Sequence, residues 1–249
     1  MAGHSKWANI KHRKGRQDAA RGKLFAKLAK RIEVAAREGG GDPAFNPTLA
    51  TAVEKAKAAS MPNDNIDRAI RRGTGEVEGA VYEEVWYEGY GGGGVALYVQ
   101  ILTDNRNRAA SDVRSTFNRF GGNLGEPGSV AYLFTQKGTV LARGDEDEIM
   151  FAALEAGAED IRDGGDGTFE VITAPSDLPA VRSALTEAGI DVESSDVTQL
   201  PSATVPVGEA EAKRLLRLID ALEDLDDVEA VFSNYDIEDA VMEQVLAEV

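Results

Sequence analysis

The chain has 249 residues, with 27 Lys+Arg against 43 Asp+Glu for a formal charge of -16, no Cys, two His and 43% hydrophobic residues. That length fits about two domains, or three small ones, with ample material for packed cores. Lack of cysteine excludes a disulfide framework, a thiolate nucleophile and Cys-ligated metal, and both histidines, His4 and His12, lie in the first dozen residues, so most hydrolase and metalloenzyme chemistry is excluded with them.

The opening segment has no apolar signal-peptide core, its glycine stands at position 3 rather than 2, which argues against myristoylation, and no run of about eighteen apolar residues occurs anywhere. A cytoplasmic protein that spans no membrane is expected. The net charge hides a polarity: residues 1–75 hold 16 basic and 7 acidic side chains, residues 76–249 hold 11 and 36. Residues 1–37 alone hold 11 and 2. Such asymmetry points to a nucleic-acid or membrane-surface contact by one end, against the plainer reading of a solvated basic face.

Taken in chain order, Leu24, Phe25, Leu28, Ile32 and Ala35 recur at helical spacing from Arg21 to Arg37, with Lys23, Lys27, Lys30 and Arg37 opposite. Gly39 to Gly41 stop this helix. Asn46-Pro47 then supply a cap and a proline-compatible first turn for a second helix to about Ser60. A third, after Pro62-Asn63, carries Ile66, Ala69 and Ile70 on one face and ends at Gly73-Thr74-Gly75. Three helices with short connections predict a small bundle.

Near residue 80 the pattern turns to aromatic and β-branched runs. Strands are predicted over Tyr82–Tyr90 and Val95–Thr103, a helix over Arg106–Phe120, then a Gly-rich turn and a strand at Val130–Phe134. Strand Thr139–Ala142, helix Glu146–Ala156, strands Glu159–Arg162 and Thr168–Thr173, helix Ser176–Ala188 and strand Asp191–Leu200 follow, which is the ferredoxin-like βαββαβ order. Strand Thr204–Val207, helix Glu209–Leu225, strand Glu229–Ser233 and a short terminal helix complete the chain. Set beside the β-α-β of 95–134, the β-α-β of 204–233 gives a second unit of similar order, split by the first.

The expected class is therefore α+β: an N-terminal three-helix bundle followed by two ferredoxin-like α/β domains, the third domain inserted into the second. The boundaries are 1–78 for the basic arm and bundle, 79–135 with 203–249 for a discontinuous domain, and 136–202 for the insertion.

Several motifs invite chemistry. Gly89 to Gly94 satisfy G-x-G-x-x-G, yet the next segment is Val-Ala-Leu-Tyr-Val, a strand, so the helix N-terminus that would hold a pyrophosphate is missing and a hairpin or bulge is expected. No phosphate-binding loop of the G-x-x-x-x-G-K-[ST] type occurs. Two acidic runs, Asp145 to Glu148 and Glu223 to Asp227, lack the ligand spacing of a calcium loop. The first opens a helix, where negative charge is favourable, and the second closes one, where it is not. Solvation or a protein-facing surface accounts for both. No catalytic residue, metal or cofactor is assigned.

The most informative feature is the basic arm, in which Lys6, Lys11, Arg13, Lys14, Arg16 and Arg21 alternate with Gly3, Gly15 and Gly22. Each cation can neutralise a phosphate and release a counterion. Trp7 can stack on a base or anchor the arm, and His12 can contact phosphate or solvent. Lys23, Lys27, Lys30 and Arg31 extend the candidate interface along the first helix. Asn105, Arg106, Asn107 and Arg108, at the start of a later helix, form a second candidate anion or RNA contact, with capping by Asn105 and solvated arginines as the alternative.

These segments also carry a resemblance. Residues 1–25 (MAGHSKWANIKHRKGRQDAARGKLF), 61–76 (MPNDNIDRAIRRGTGE), 82–97 (YEEVWYEGYGGGGVAL), 102–117 (LTDNRNRAASDVRSTF) and 121–134 (GGNLGEPGSVAYLF) together closely resemble the YebC/PmpR family. The resemblance implies three domains, a helical bundle and two α/β domains, and a probable transcriptional regulator that binds DNA. It also implies a relation to a mitochondrial translational activator of cytochrome oxidase subunit I and to bacterial proteins linked to ribosomes stalled at proline-rich sequences. The family's basic opening falls on Lys6, Lys11, Arg13, Lys14, Arg16, Arg21 and Lys23, and its central polar motif on Asp104 to Arg108. Glu126-Pro127 and the strongly acidic last third depart from the pattern.

The expectation is a non-enzymatic, nucleic-acid-binding regulator of gene expression, acting on DNA in transcription or, alternatively, on rRNA within the ribosome as a translation factor that relieves stalling or activates translation. A protein partner for the acidic α/β domains goes with it. No helix-turn-helix reading helix is evident, which favours modest sequence specificity. An enzyme acting on phosphates would need metal-binding carboxylates near the arm, and residues 1–37 offer only Asp18 and Glu33.

Overall fold

The computed structural model describes residues 21–165, 167–238, 241–242 and 244–245. Helices α1 (Arg21–Gly39), α2 (Pro47–Ala58) and α3 (Asn63–Gly73) form a helical layer. Asn46 caps α2: its side-chain oxygen accepts from the Leu49 N–H at 3.0 Å, and its amide donates to the Ala35 and Gly40 carbonyls at 2.7 and 2.9 Å. One side chain thereby starts α2 and ties it to the end of α1. Helices α1 and α3 meet so closely that a Cβ at Gly73 would lie 2.4 Å from the Glu33 carbonyl oxygen. Ile32, Leu49, Met61 and Ile66 fill the layer's interior, and its apolar cluster ends at Ile70.

Strands β1 (Glu83–Tyr90) and β2 (Ala96–Thr103) pair antiparallel from Glu83 opposite Thr103 to Tyr90 opposite Ala96. The glycine run is their connection. Gly93 and Gly94 have φ of 72° and 78°, a conformation side chains disfavour, and a Cβ at Gly91 would lie 2.6 Å from Leu215. The dinucleotide pattern is thus a hairpin turn. Helix α4 (Arg106–Arg119) and the two-residue β3 (Asn123–Leu124) follow.

The chain then builds a second four-stranded sheet from β4 (Phe134–Arg143), α5 (Glu146–Glu155), β5 (Ala158–Gly165), β6 (Thr168–Thr173), α6 (Leu178–Glu187) and β7 (Asp191–Pro201). Its spatial order is β5-β6-β4-β7, all neighbours antiparallel, which is the ferredoxin-like arrangement. Val140, Ile149, Val171, Val181 and Leu185 pack its own core. Afterwards come β8 (Val205–Pro206), α7 (Glu209–Glu223), β9 (Val228–Ser233) and β10 (Tyr235–Asp236). Strand β9 returns to the first sheet beside β2, giving the order β3-β1-β2-β9. Helices α4 and α7 share one core with that sheet, through Val99, Phe117, Leu215, Leu222 and Val231.

Two segments differ from the sequence expectation. Residues 130–134 are not a separate strand: Ala131–Leu133 form a 3-10 turn and Phe134 starts the ten-residue β4. The cause is Glu88 on β1, whose carboxylate accepts the backbone N–H groups of Gly128, Val130 and Ala131 at 2.7, 2.6 and 2.8 Å. Burial opposes the charge on Glu88, and those three bonds outweigh it, holding the carboxyl below its ordinary range. The strand expected at 204–207 pairs in parallel with β10 in a separate two-stranded sheet instead of joining β1 and β2. Of the expected terminal helix, positions 241, 242, 244 and 245 are described, and they are helical. No helix among the described residues is long and apolar enough to cross a membrane.

Candidate nucleic-acid interface

Of the residues read as an interface, Lys6, Trp7, Lys11, His12, Arg13, Lys14 and Arg16 lie outside the described residues. Arg21 opens α1. Lys23, Lys27, Lys30 and Arg31 follow on that helix, at steps of four, three and one, which brings the lysines onto one side. The structure places all four cations against acidic residues about two hundred positions further along the chain.

Lys23 Nζ donates to the Asp224 carbonyl at 3.1 Å and to its Oδ1 at 3.2 Å. Lys27 donates to the Glu223 carbonyl at 2.7 Å, and Lys30 to the Asp226 carbonyl at 3.0 Å and Asp227 Oδ1 at 2.8 Å. Arg31 pairs with Glu229 at 2.9 Å and more distantly with Glu84 at 3.7 Å. The acidic turn after α7 therefore lies along α1. Its composition puts carboxylates at the negative end of a helix, an unfavourable placement, and three ammonium groups from α1 supply the compensating charge to the helix-end carbonyls and side chains.

Asp227 is the centre of this junction. Its side chain is only 10% exposed; Oδ1 accepts from Lys30, and Oδ2 accepts from Thr103 at 2.9 Å and from Arg108 at 2.7 Å. Burial alone would push its carboxyl up, but the hydrogen bonds from Lys30, Arg108 and Thr103 prevail and hold it below the ordinary carboxylate range. Burial lowers the Lys27 ammonium below its ordinary value, opposed by Glu229 and Glu223. The hydrogen bonds to Asp227 and Asp104 raise the already high pKa of Arg108.

The second candidate contact divides in two. Asn105 caps α4, accepting from the Arg108 N–H at 3.1 Å, and the Arg108 guanidinium bridges Asp104 at 2.8 Å and Asp227. Arg106 is exposed, its nearest acid Glu83 at 3.8 Å, and Asn107 is exposed beside it. Between α1, the start of α4 and the acidic turn lies a cleft of about 780 Å³ whose lining includes Lys23, Lys30, Tyr82, Asp104, Arg108 and Asp226.

Sequence reasoning missed Asp227, Thr103 and Glu229 as partners of the basic helix. The available signal was the mismatch of an acidic run with the helix end it closes, together with a row of cations lacking nearby acids. No group of three or more His, Asp or Glu among the described residues is arranged to hold a metal ion.

A helical layer with a cationic first helix, followed by a split sheet carrying an inserted ferredoxin-like sheet, defines an α+β protein built around a polar junction. The chain belongs to the TACO1/YebC family: residues 5–76 match the model described as "TACO1/YebC protein N-terminal domain" and residues 82–235 the one described as "TACO1/YebC second and third domain". It is 57% identical over 249 residues to a protein of Acidothermus cellulolyticus, covering 98% of this chain and 100% of that one, and 57% identical to one of Mycolicibacterium smegmatis, covering 98% and 99%. Both relatives are named "Probable transcriptional regulatory protein". The crystal structure of a conserved hypothetical protein from Aquifex aeolicus is similar, with a TM-score of 0.80 and 46% identity over 90% of this chain and 94% of that one.

Proposed function

We propose that the protein is a non-enzymatic, nucleic-acid-binding regulator of gene expression, a transcriptional regulator on DNA in the cytoplasm, which grips phosphates through its basic N-terminal segment. The observation that carries this reading is the concentration of 11 basic against 2 acidic residues in positions 1–37 of a chain whose net charge is -16. A polyanion attracts that end and is repelled by the rest, so the charge distribution both binds and orients. The names of the relatives favour DNA. Exposed Arg106 and Asn107 offer a secondary anion contact, while the acidic sheets face protein or solvent.

The division into 1–78, 79–135 with 203–249, and 136–202 is part of this proposal; three apolar clusters, one in the helical layer and one with each main sheet, support it. A second reading, an rRNA contact in a translation factor, is favoured by the glycines that interrupt the basic arm, since RNA is recognised largely by irregular shape.

The test compares binding of duplex DNA and of a folded ribosomal RNA fragment over a range of salt, for the intact chain and for a variant with Lys11, Arg13, Lys14 and Arg16 changed to Ala. Each lost contact should flatten the log–log salt slope by about 0.9 on duplex DNA and about 0.7 on single strands. An unchanged slope removes the arm as the grip; tight binding confined to the RNA moves the protein to the second reading.

A further inference from the structure

We infer that the cation row of α1 is a phosphodiester-binding site that the protein's own acidic turn, Glu223 to Asp227, fills in the free molecule as an internal mimic of a nucleic-acid backbone. The inference rests on the reading of the protein as a nucleic-acid binder and adds how that binding is regulated.

Three observations carry it. Lys23 to Lys30 extend about 10 Å along the helix at 1.5 Å per residue, and over that span the turn presents a succession of oxygens: the Glu223, Asp224 and Asp226 carbonyls and the Asp224 and Asp227 carboxylates. A run of phosphates offers the same ammonium groups the same kind of partner. Secondly, the join is polar. The apolar cluster of the helical layer holds residues 25–70 alone, and Leu222, Leu225 and Val228 belong to the cluster of the first sheet. Separating α1 from the turn therefore opens no shared hydrophobic core. Thirdly, the two ion pairs that tie the helical layer to the inserted sheet, Lys55 with Asp196 and Glu54 with Arg182, lie at exposed side chains, where such pairs contribute little, so besides the lysine row the main tie that opening breaks is Arg31 with the buried Glu229.

In the closed form the turn excludes a phosphate strand from Lys23, Lys27 and Lys30. A polyanion engaged elsewhere on the basic segment raises the local phosphate concentration and competes for the row. The apparent affinity is then the intrinsic affinity reduced by the fraction of molecules open. Asp227, held by Thr103 and Arg108 as well as Lys30, keeps its place when α1 leaves, so the turn remains ready to close again.

The experiment uses the full chain and fluorescently labelled duplex DNA and single-stranded RNA of equal length at low salt. Asp224→Lys removes the exposed partner of Lys23 and repels it. Glu146→Lys, on α5 in the other acidic run, makes the same change of net charge without touching α1. The inference predicts that Asp224→Lys tightens binding about two- to fivefold beyond Glu146→Lys, the range corresponding to loss of one exposed ion pair. The gain disappears when Lys23 and Lys30 are also changed to Ala. Because the chain has no native cysteine, dyes placed at Asp67→Cys on α3 and Thr186→Cys on α6 report separation directly, and saturating nucleic acid should lower energy transfer between them. Equal gains from the two lysine variants, or transfer unchanged at saturation, overturn the internal mimic while leaving nucleic-acid binding intact. Failure of every form of the chain to bind either probe would instead defeat the functional reading on which it rests.

Discussion

The two acidic runs are nearly identical in composition and opposite in circumstance. Asp145 to Glu148 open α5, where Asp145 accepts the N–H groups of Asp147 and Glu148 at 3.0 and 3.2 Å and the carboxylates face the positive end of the helix. Glu223 to Asp227 close α7, and their charge is matched by a cation row from a helix two hundred residues earlier. One run satisfies itself locally; the other requires a distant partner. An acidic stretch at the wrong end of a helix is therefore informative about tertiary structure in a way that the same stretch at the right end is not.

Substitutions should separate the two runs by size of effect. Asp227→Ala removes a buried carboxylate, leaving Lys30 only the Asp226 carbonyl, Arg108 only Asp104, and the Thr103 hydroxyl without its acceptor; a loss of about 3 kcal/mol is expected in urea denaturation. Asp145→Ala removes only a helix cap and should cost about 1 kcal/mol. Asp224→Asn, at a side chain that is 75% exposed, should change stability by no more than about 0.5 kcal/mol, although it removes one of the charges proposed to compete with phosphate.

The pH dependence sharpens the same contrast. The Asp227 carboxyl is held below its unfolded value, so the unfolded chain takes up the proton first as pH falls. Its contribution is fully present above the ordinary carboxylate value of about 3.9 and is lost as pH drops through the lower folded value. The stability difference between the intact protein and Asp227→Asn should thus be constant near neutrality and shrink only in acid; a difference that shrank between pH 6 and 8 would be inconsistent with a lowered carboxyl.

Much of the fold was legible because it rests on local pattern. Helical spacing located α1 to α3, Asn46-Pro47 located the start of α2, and the inserted βαββαβ order followed from alternating short strands and capped helices. The failures share a cause in distant contacts. Val130 to Phe134 is a short apolar run that periodicity alone cannot assign, and its turn depends on a carboxylate more than forty residues earlier, on Glu88. The segment at 204–207 has strand character, but its partner, Tyr235–Asp236, is chosen by where the chain returns after α7. In the candidate interface the charge of α1 was legible, while its engagement with Asp224 and Asp227 was not, since nothing in the local sequence links residues 201 and 197 positions apart. For Asn105 the sequence left an anion contact and a helix cap open, and the cap is present; the bond from Arg108 to Asp227, 119 residues away, had no local signal.

The most direct measurement is equilibrium binding of the intact chain to duplex DNA and to ribosomal RNA, followed by anisotropy from low to moderate salt. The account predicts measurable affinity at low salt, a linear fall in log K with log salt, and a shallower fall once Lys11, Arg13, Lys14 and Arg16 are neutral. Absence of binding to both polymers at the lowest salt would contradict it.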